Sequence, residues 1–252
     1  MLHTIEQNAL GHFKYLPVKG KFHVTEDNYL TIIHCALGSS MFNIVYGSFL
    51  NISDSKIQEI IDEFQGQPFA WWIPSSLKSE ALTDKLLKRG FIIEAKEDAM
   101  LCDLKALHQT KKLEKLTIEQ VKTEDQREDF IGVLQVYDPT ARKFYETFSL
   151  SLLQEQEKLF VGYDEKNPAC IAILFMSKDT AGIFSLITNA NKRGQGFGTQ
   201  MMYYLMHTAS KLGARSITLS ATSNSGYRIY ESLGFKSFGQ FECFEWKGSF
   251  RV

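Results

Sequence analysis

A glycine-rich stretch between two apolar segments holds the residues of this chain that are best suited to chemistry. Residues 181–188 (AGIFSLIT) have the length and the β-branched and aromatic content of a buried strand, and residues 193–198 read RGQGFG. A strand, a glycine-rich turn and a helix in succession aim backbone N–H groups at a phosphate. Glycine suits such a turn because a side chain would block the phosphate and because the backbone angles disfavour other residues. The stretch therefore predicts a phosphate-binding loop.

Three kinds of phosphate loop differ in the spacing of their glycines. A P-loop requires Lys followed by Ser or Thr after its second glycine, and neither pair follows these glycines. A dinucleotide-binding loop requires Gly-x-Gly-x-x-Gly, but Thr199 occupies the third glycine position counted from Gly194. The spacing that fits is Arg-x-x-Gly-x-Gly, from Arg193 to Gly198. Taken alone, these residues also fit a glycine-rich turn that binds nothing.

A second stretch follows an amphipathic helix predicted at 196–211. Residues 216–221 predict a strand, and residues 227–233 predict a short helix that carries Tyr230 and ends in Gly-Phe. This order of loop, helix, strand, tyrosine-bearing helix and Gly-Phe resembles the GNAT (GCN5-related) N-acetyltransferases. The resemblance covers residues 117–252. Ser223 stands where many relatives carry Asn, and Asn224 lies one place later.

The resemblance implies an α/β (α+β) GNAT fold in which acetyl-CoA lies between two parting strands of a mixed, splayed sheet. Loop N–H groups would bind the pyrophosphate, and the edge of the preceding strand would pair with the pantetheine amides and stabilise the oxyanion. Tyr230 would be the general acid for the departing thiolate; a core tyrosine is the alternative. The implied cofactor-binding residues are Leu186, Ile187, Thr188, Arg193, Gly194, Gln195, Gly196, Phe197, Gly198, Thr199, Ser223 and Asn224.

The first half predicts a smaller α/β unit that has no glycine loop. Helix, Arg-Gly-Phe and strand at 79–103 parallel helix, Leu-Gly-Phe and strand at 226–246, so a degenerate GNAT-like copy is expected. We place the domains at 1–106 and 117–252, with the linker in the charged stretch 104–116. This half also resembles the N-terminal part of two-part bacterial GNAT proteins of undefined substrate. Its aromatic pair Trp71-Trp72 fits either a substrate cleft or the domain core.

The remaining elements follow from apolar periodicity and from helix-capping residues. The other predicted strands span 29–37, 42–47, 69–73, 91–95, 99–103, 117–121, 158–163, 169–176 and 241–246. The other predicted helices span 9–16, 53–64, 79–88, a segment that starts at the Thr-x-x-Gln capping box of residues 123–126, and about 141–154. Val136 is placed on the inner face of its helix, and Leu212 on the core stripe of the helix at 196–211.

Composition excludes several classes of function. With 28 Lys and Arg against 29 Asp and Glu, the net charge of −1 does not suit a nucleic-acid-binding polycation. No stretch approaches the roughly 18 apolar residues of a membrane span, and the N-terminus lacks an apolar signal core, so a cytoplasmic protein is expected. The 4 Cys and 6 His form no ligand pair, so no metal is expected.

The predicted function is acetyl transfer from acetyl-CoA to a primary amine of a small molecule or peptide, by direct attack on the thioester. The alternative is a non-catalytic acyl-CoA-binding or regulatory module. The strand at 181–188 carries no carboxylate to serve as general base, which leaves Asp138, Glu146 and Tyr145 as candidates from elsewhere. The sequence leaves open the acceptor amine and the oligomeric state, with a homodimer among the alternatives.

Overall fold

Strands and helices alternate along the whole chain. A computed structural model describes residues 1–49, 51–106 and 115–248. The strands are β1 (His23–Glu26), β2 (Leu30–His34), β3 (Ile44–Gly47), β4 (Phe69–Pro74), β5 (Ile92–Asp103), β6 (Thr117–Gln120), β7 (Glu157–Asp164), β8 (Asn167–Ser177), β9 (Thr180–Thr188), β10 (Ser216–Ala221) and β11 (Lys236–Trp246). The α-helices are α1 (Leu2–Lys19), α2 (Asp54–Glu63), α3 (Glu80–Lys88), α4 (Glu124–Leu134), α5 (Ala141–Tyr145), α6 (Phe197–Lys211) and α7 (Asn224–Ser232). None of the helices in these residues is long and apolar enough to cross a membrane.

Several helices begin at side chains that cap their first N–H groups. The Ser53 hydroxyl accepts the N–H of Lys56 at the start of α2, at 3.1 Å. Thr123 and Gln126 form a reciprocal capping box at the start of α4. These contacts satisfy N–H groups that have no partner inside the helix. Both capping predictions are confirmed.

The strands form one mixed sheet in the order β1-β2-β3-β4-β11-β5-β10-β9-β8-β7-β6. β3 and β4 run parallel, as do β9 and β10, and the other neighbours are antiparallel. A helix joins each parallel pair, α2 in the first half and α6 in the second, because parallel neighbours need a crossover connection. The predicted mixed α/β sheet is confirmed.

The two halves of the chain share the centre of the sheet. β11, from the second half, pairs with β4 and β5, while β5, from the first half, pairs with β10 and β11. Gly90-Phe91 precedes β5 and Gly234-Phe235 precedes β11, so the order helix, Gly-Phe, strand occurs in both halves. Residues 107–114 of the predicted linker lie outside the described residues. The division at 1–106 and 117–252 stays a prediction.

The sheet opens between β9 and β10. In the described residues these strands pair at three positions, which are Thr180 with Ser216, Ala181 with Ile217, and Gly182 with Thr218. Beyond Gly182 and Thr218 the strands part, and we call this opening the fork. β9 also has a bulge against β8, where Ser185 has a φ of +48°. The predicted splayed sheet is confirmed.

Some predicted strand and helix bounds are wrong. The strands predicted at 91–95 and 99–103 form the single strand β5, because the polar residues 96–98 pair with β11 instead of turning. The helix predicted at 9–16 begins at Leu2, and β1 was not predicted. The helix predicted at 141–154 is only α5 and a later 3₁₀ turn, Leu152–Gln154. Before that turn, the Ser149 hydroxyl accepts the N–H of Leu152 at 3.3 Å and competes with helical bonding.

Two residues predicted to face the core are exposed. Val136 is 75% exposed and Leu212 is 48% exposed, because each lies just beyond the last residue of its helix. The rest of the apolar stripe on α6 is buried, with Met201 and Leu205 fully so. α6 therefore covers one face of the second half's strands. The opposite face packs against α1 and α4 through Ile5 and Phe130.

Candidate active site

The turn between β9 and α6 presents free backbone N–H groups. Gly194 and Gly196 adopt left-handed φ values of +75° and +85°, and Gly196 is the N-cap of α6. A Cβ atom on either glycine would face open space. No side chain in the described residues caps the first turn of α6, so the N–H groups of Phe197, Gly198 and Thr199 lack intrahelical partners. These groups and the helix dipole form a site for an anion.

Two basic side chains hold the loop in place. Arg193 donates from Nε to the carbonyl oxygen of Thr188 at 3.2 Å and from Nη2 to the hydroxyl of Tyr137 at 2.6 Å. Lys115 donates from Nζ to the carbonyl oxygen of Gln195 at 3.0 Å. Arg193 therefore ties the loop to the end of β9, and Lys115 adds positive charge beside it. Sequence reasoning missed Lys115 because it lies 80 residues before the loop.

The predicted pantetheine edge lies along the fork. Leu186 and Ile187 line the opening and are half-buried, and Thr188 ends the strand. A Cβ on Gly198 would lie 3.4 Å from Oγ1 of Thr188, so the start of α6 approaches the end of β9 closely. The edge of β9 that faces β10 is unpaired beyond Gly182 in the described strands. Such an edge can accept an extended ligand as an added strand.

The residues before α7 play a local structural part. The Ser223 hydroxyl accepts the N–H of Gly226 at 3.1 Å and caps α7. Asn224 is the first residue of the helix, and its side chain lies outside the described part of the structure. The geometry brings this turn to the fork through β10, which leads directly into it.

Tyr230 projects from α7 into the opening at the fork. Its ring lies 6.1 Å from that of Phe235, and a Cβ on Gly226 would lie 3.3 Å from Cε2 of Tyr230. Burial raises the pKa of the Tyr230 hydroxyl, and the negative charge of Glu97 raises it further. The hydroxyl is therefore protonated at neutral pH, as a proton donor must be.

Glu97, which sequence reasoning missed, lies beside Tyr230. It is 8% exposed and accepts hydrogen bonds from the hydroxyls of Ser220 and, at 3.2 Å, Thr222. Burial raises the pKa of its carboxyl group, an effect that the two hydrogen bonds oppose. In a continuous strand through residues 92–103, side chains alternate between the two faces, so Glu97 lies on the same face as the buried Ala99. This alternation is the sequence signal that could have identified Glu97.

A cavity of about 810 Å³ begins at the fork and extends between residues of both halves. Its walls are largely apolar, with several aromatic side chains. The aromatic lining includes Phe13, Phe42, Trp72, Tyr137, Phe144, Tyr145, Phe184, Tyr230 and Phe241. Carboxylates are the commonest charged groups of the lining, and they are Glu94, Glu97, Asp138, Glu157 and Glu245.

The predicted tryptophan pair divides between core and cavity. Trp71 is fully buried and donates from Nε1 to the carbonyl oxygen of Gly47 at 2.9 Å. Trp72 points to the other face of β4, is half-buried and lines the cavity. Trp71 therefore belongs to the core, and Trp72 lines the cavity.

The cavity carries an excess of negative charge. Lys247, its one lining lysine among the described residues, contacts Glu245 and lies 3.9 Å from Glu94. Glu97, Asp138 and Glu157 have no Lys or Arg within 4 Å in the described part of the chain. A buried carboxylate without a cation favours a cationic ligand.

One of these carboxylates forms a pair with a histidine. Glu157 is 1% exposed, and its Oε2 atom lies 3.1 Å from Nδ1 of His12. Its Oε1 atom is buried and has no hydrogen-bond partner in the described residues. The His12 ring stacks on Phe184, with centroids 3.8 Å apart. This pair therefore lines the cavity beside β9.

The three residues that the sequence suggested as a base occupy different places. Asp138 lines the cavity but accepts the hydroxyls of Ser39 and Thr140. Glu146 pairs with Arg142 at 3.0 Å and does not line the cavity. Tyr145 lines the cavity, and burial raises its pKa well above the usual value, with Glu157 adding to the shift. Its hydroxyl is therefore neutral.

Comparison with known proteins gives a family match for the second half. Residues 120–235 match the model of the acetyltransferase (GNAT) family. No curated protein matched the chain in a sequence comparison. A GCN5-related N-acetyltransferase from Kribbella flavida is similar in structure, with a TM-score of 0.70 and 13% identity over 97% of this chain and 96% of that chain.

Two further solved structures are similar over most of the chain. A functionally unknown conserved protein from Staphylococcus epidermidis ATCC 12228 has a TM-score of 0.69 and 16% identity, over 90% of this chain and 95% of that chain. A tandem GNAT protein from the clavulanic acid biosynthesis pathway has a TM-score of 0.54 and 8% identity, over 81% and 72% respectively. At these identities the likeness is one of fold.

A mixed sheet that parts beside a glycine-capped helix N-terminus defines a protein of the GNAT fold. Residues 120–235 form a GNAT acetyltransferase domain, so the resemblance predicted from the sequence is confirmed. The family match supports acetyl transfer as the general class of activity.

Proposed function

We propose that the protein is an acetyl-CoA-dependent N-acetyltransferase that acts on a primary amine of a small molecule or peptide. The observation that carries this proposal is the fork, with an uncapped helix N-terminus at one end and Tyr230 at the other. A free strand edge, Leu186 to Thr188, connects the two. Acetyl-CoA carries a matching group for each of these features in the same order: a pyrophosphate for the helix N-terminus, two amides for the strand edge and a thioester for Tyr230.

The residues of the loop suit the pyrophosphate. The N–H groups of residues 195–199 would donate to its oxygens, and the α6 dipole would add about 0.3–1 kcal/mol. Gly194 and Gly196 leave the space that the phosphates need, since neither position is filled by a side chain. Lys115 supplies a nearby positive charge. Arg193 would hold the loop through Thr188 and Tyr137.

The free edge of β9 suits the pantetheine arm. Backbone groups of residues 186–188 would pair with its two amides, as in the addition of a strand. One N–H group of this edge would donate to the thioester carbonyl and stabilise the negative charge that forms there. Ser223 and Asn224 lie at the start of α7 on the opposite side of the fork. We retain both as candidate contacts to the arm.

Tyr230 suits the role of general acid. The amine nitrogen forms a bond to the carbonyl carbon, the C–S bond breaks, and the departing sulfur takes the phenolic proton. Because burial and Glu97 keep this hydroxyl protonated, the proton is available throughout the physiological pH range. Its position in the cavity beside the fork supports this role.

The cavity supports a cationic amine with an apolar body as the acceptor. Aromatic side chains such as Trp72 and Phe42 would pack against the body, and the carboxylates without a basic partner would attract the ammonium group. We further propose that the units at 1–106 and 117–252 divide the work. The second would bind acetyl-CoA, and the first would supply much of the acceptor wall through α1, β4 and β5.

The proposed location is the cytoplasm. Cys35, Cys102, Cys170 and Cys243 are all free and buried. Unpaired, buried thiols are typical of proteins from reducing compartments.

Release of free CoA thiol over a panel of amines tests this proposal. The wild-type chain is incubated with acetyl-CoA and, in turn, with alkylamines, arylalkylamines, diamines, amino sugars and peptides with a free N-terminus. We expect thiol release that depends on at least one amine, together with a product heavier by one acetyl group in mass spectrometry. Binding of acetyl-CoA by calorimetry without thiol release from any amine would favour the non-catalytic binding module instead.

A further inference from the structure

We propose that Glu97 is the general base that takes the proton from the acceptor ammonium group. This inference rests on the proposed function and names a residue for the removal of the ammonium proton. β9, which forms one side of the fork, carries no Asp or Glu. The carboxylate comes instead from β5, a strand of the first half.

Strand pairing places Glu97 at the fork. β5 lies between β10 and β11, with Ala99 opposite Ser220 and Glu97 opposite Phe241. The Glu97 carboxylate contacts the hydroxyls of Ser220 and Thr222, and both residues lie beyond the last pair between β9 and β10. The carboxylate therefore lies on the wall of the cavity where the fork opens.

Glu97 and Tyr230 occupy the same part of the cavity. Both line it, and the charge of Glu97 raises the pKa of the Tyr230 hydroxyl, so the two groups interact electrostatically. A base and an acid must both reach the reacting centre, the base at the amine and the acid at the sulfur. The other cavity carboxylates that have no Lys or Arg within 4 Å in the described chain are held elsewhere, Asp138 by Ser39 and Thr140, and Glu157 by His12.

The surroundings of Glu97 suit proton transfer. Both of its oxygens accept hydroxyl hydrogen bonds, which fix the carboxylate, yet no Lys or Arg of the described chain lies within 4 Å to neutralise it. Burial raises the pKa of Glu97 toward neutral pH, where a carboxylate is a stronger base than an exposed one. The positive charge of an acceptor ammonium would complete this site.

Among the described residues, few other titratable groups face Glu97. Tyr230 faces it from α7, and Cys243 faces it from β11. Both are neutral, since burial raises the pKa of each, and the charge of Glu97 adds to both shifts. Ser220 of β10 and Thr222, just beyond the end of that strand, present hydroxyl groups to Glu97. α1 also packs on β5, and its Glu6 points to Ser76. The Glu6 carboxylate accepts hydrogen bonds from the N–H and hydroxyl groups of Ser76.

The proton inventory of the reaction closes with these two residues. One ammonium proton goes to Glu97, and the neutral amine then attacks the thioester carbonyl. The C–S bond breaks, and the sulfur takes the proton of Tyr230. The nitrogen gives its second proton to the Tyr230 phenolate, which restores the hydroxyl, and Glu97 releases its proton to solvent. The net products are the acetylated amine, CoA thiol and one proton.

The pH dependence of Glu97→Gln tests this role. The acceptor is the alkylamine with the highest wild-type turnover in the panel, and kcat/KM is measured from pH 6 to pH 9. At pH 7 we expect Glu97→Gln to lose at least about 100-fold, with the Kd for acetyl-CoA unchanged. The wild-type to variant ratio should then fall by about tenfold per pH unit, because the variant depends on amine that is already neutral in solution.

A purely structural role gives a different result. If Glu97 only supports the fold, the ratio stays constant with pH, and that outcome overturns the proposal. Asp98→Asn is the matched control: the residue lies on the same strand but outside the cavity lining, where its Oδ1 atom accepts hydrogen bonds from Ser237 and Gln240, and the variant should keep the wild-type profile. Glu97→Asp retains a carboxylate, so its kcat/KM should depend on pH as in the wild type but be lower at each pH. A roughly tenfold rise of kcat/KM per pH unit in Glu97→Asp would also overturn the proposal. This second variant keeps the test decisive if Glu97→Gln does not fold.

Failure of this role is distinguishable from failure of the proposed function. If the wild-type chain binds acetyl-CoA but releases no thiol with any amine, acetyl transfer itself is wrong. If the wild-type chain is active and Glu97→Gln has the wild-type rate and pH profile, acetyl transfer stands and only the assignment of Glu97 fails.

Discussion

Thr218 donates a hydrogen bond from its hydroxyl to Oδ1 of Asn8 at 3.1 Å, at the last backbone pair before β9 and β10 part. Asn8 comes from α1, in the first half of the chain, and is buried. Gly182, the partner of Thr218 in that pair, has no room for a side chain, because its Cβ would lie 2.0 Å from Oδ1 of Asn8. A residue of the first half therefore fills the apex of the fork.

Gly182→Ala should disturb this apex. The added methyl group must displace Asn8, so we expect the free energy of unfolding to fall by about 1–3 kcal/mol, as for other overpacked sites. The affinity for acetyl-CoA should fall as well, because the parting of β9 and β10 starts at this pair. Urea unfolding and calorimetry measure the two effects. Gly132→Ala in α4, where a Cβ meets nothing within 4 Å, is the control and should leave binding unchanged.

Tyr230→Phe should lower kcat without weakening the binding of acetyl-CoA. The variant keeps the ring and loses only the proton donor, so we expect a loss of about 100-fold in kcat. Steady-state kinetics and calorimetry together separate the two quantities. Tyr227→Phe, on the same helix and outside the cavity lining, should retain wild-type kcat. An unchanged kcat in Tyr230→Phe would remove the acid role and leave a core tyrosine.

Gly196→Glu should abolish binding of acetyl-CoA. The substitution places a negative side chain where we expect the pyrophosphate, and the φ of +85° strains any residue with a Cβ. Gly213→Glu separates these effects, since Gly213 has a φ of +92°, equally open space, and a position at the other end of α6. Both variants should lose about 1–2 kcal/mol of stability. Retained affinity in Gly196→Glu would refute the assignment of the loop.

Trp72→Ala should weaken the binding of the acceptor amine and leave the binding of acetyl-CoA unchanged. Trp72 lies in the cavity wall between Phe13 and Phe241, with ring centroids 5.1 and 5.8 Å away. Loss of an aromatic contact of about 0.5–1.5 kcal/mol corresponds to roughly a twofold to thirteenfold rise in KM for the amine. Trp246→Ala serves as the control, because Trp246 packs on Phe69 outside the cavity lining. Equal KM values in the two variants would place the acceptor elsewhere.

Glu97→Gln should change how stability depends on pH. In the folded chain, burial raises the pKa of Glu97 above its ordinary value of 4.5, so between that value and its folded pKa the folded state binds more protons than the unfolded state. Wild-type stability therefore falls as pH rises through this window, and the Gln variant lacks that contribution. The stability of the variant relative to wild type should rise from pH 4 to pH 8. Urea midpoints of both proteins measure this, and parallel curves would contradict it.

Local patterns predicted much of the second half correctly. The strand before the loop, the helix after it and the Thr123–Gln126 capping box each depend on residues that are near one another in the chain. The buried stripe of α6 followed from helical periodicity for the same reason. The strands predicted at 91–95 and 99–103 exclude the polar run 96–98, because its neighbours β10 and β11 come more than 100 residues later and supply the hydrogen bonds that keep it extended.

The sequence by itself determined the class of fold, the glycine loop and the position of Tyr230 relative to it. These features lie within one stretch of chain, so residue spacing specifies them. Only the tertiary structure decided that Asn8 meets Thr218 at the fork and that Glu97 lies beside Tyr230. Both arrangements depend on α1 and β5 of the first half packing against the strands of the second. Such long-range packing depends on residues that are far apart in the chain, so local sequence patterns do not predict it.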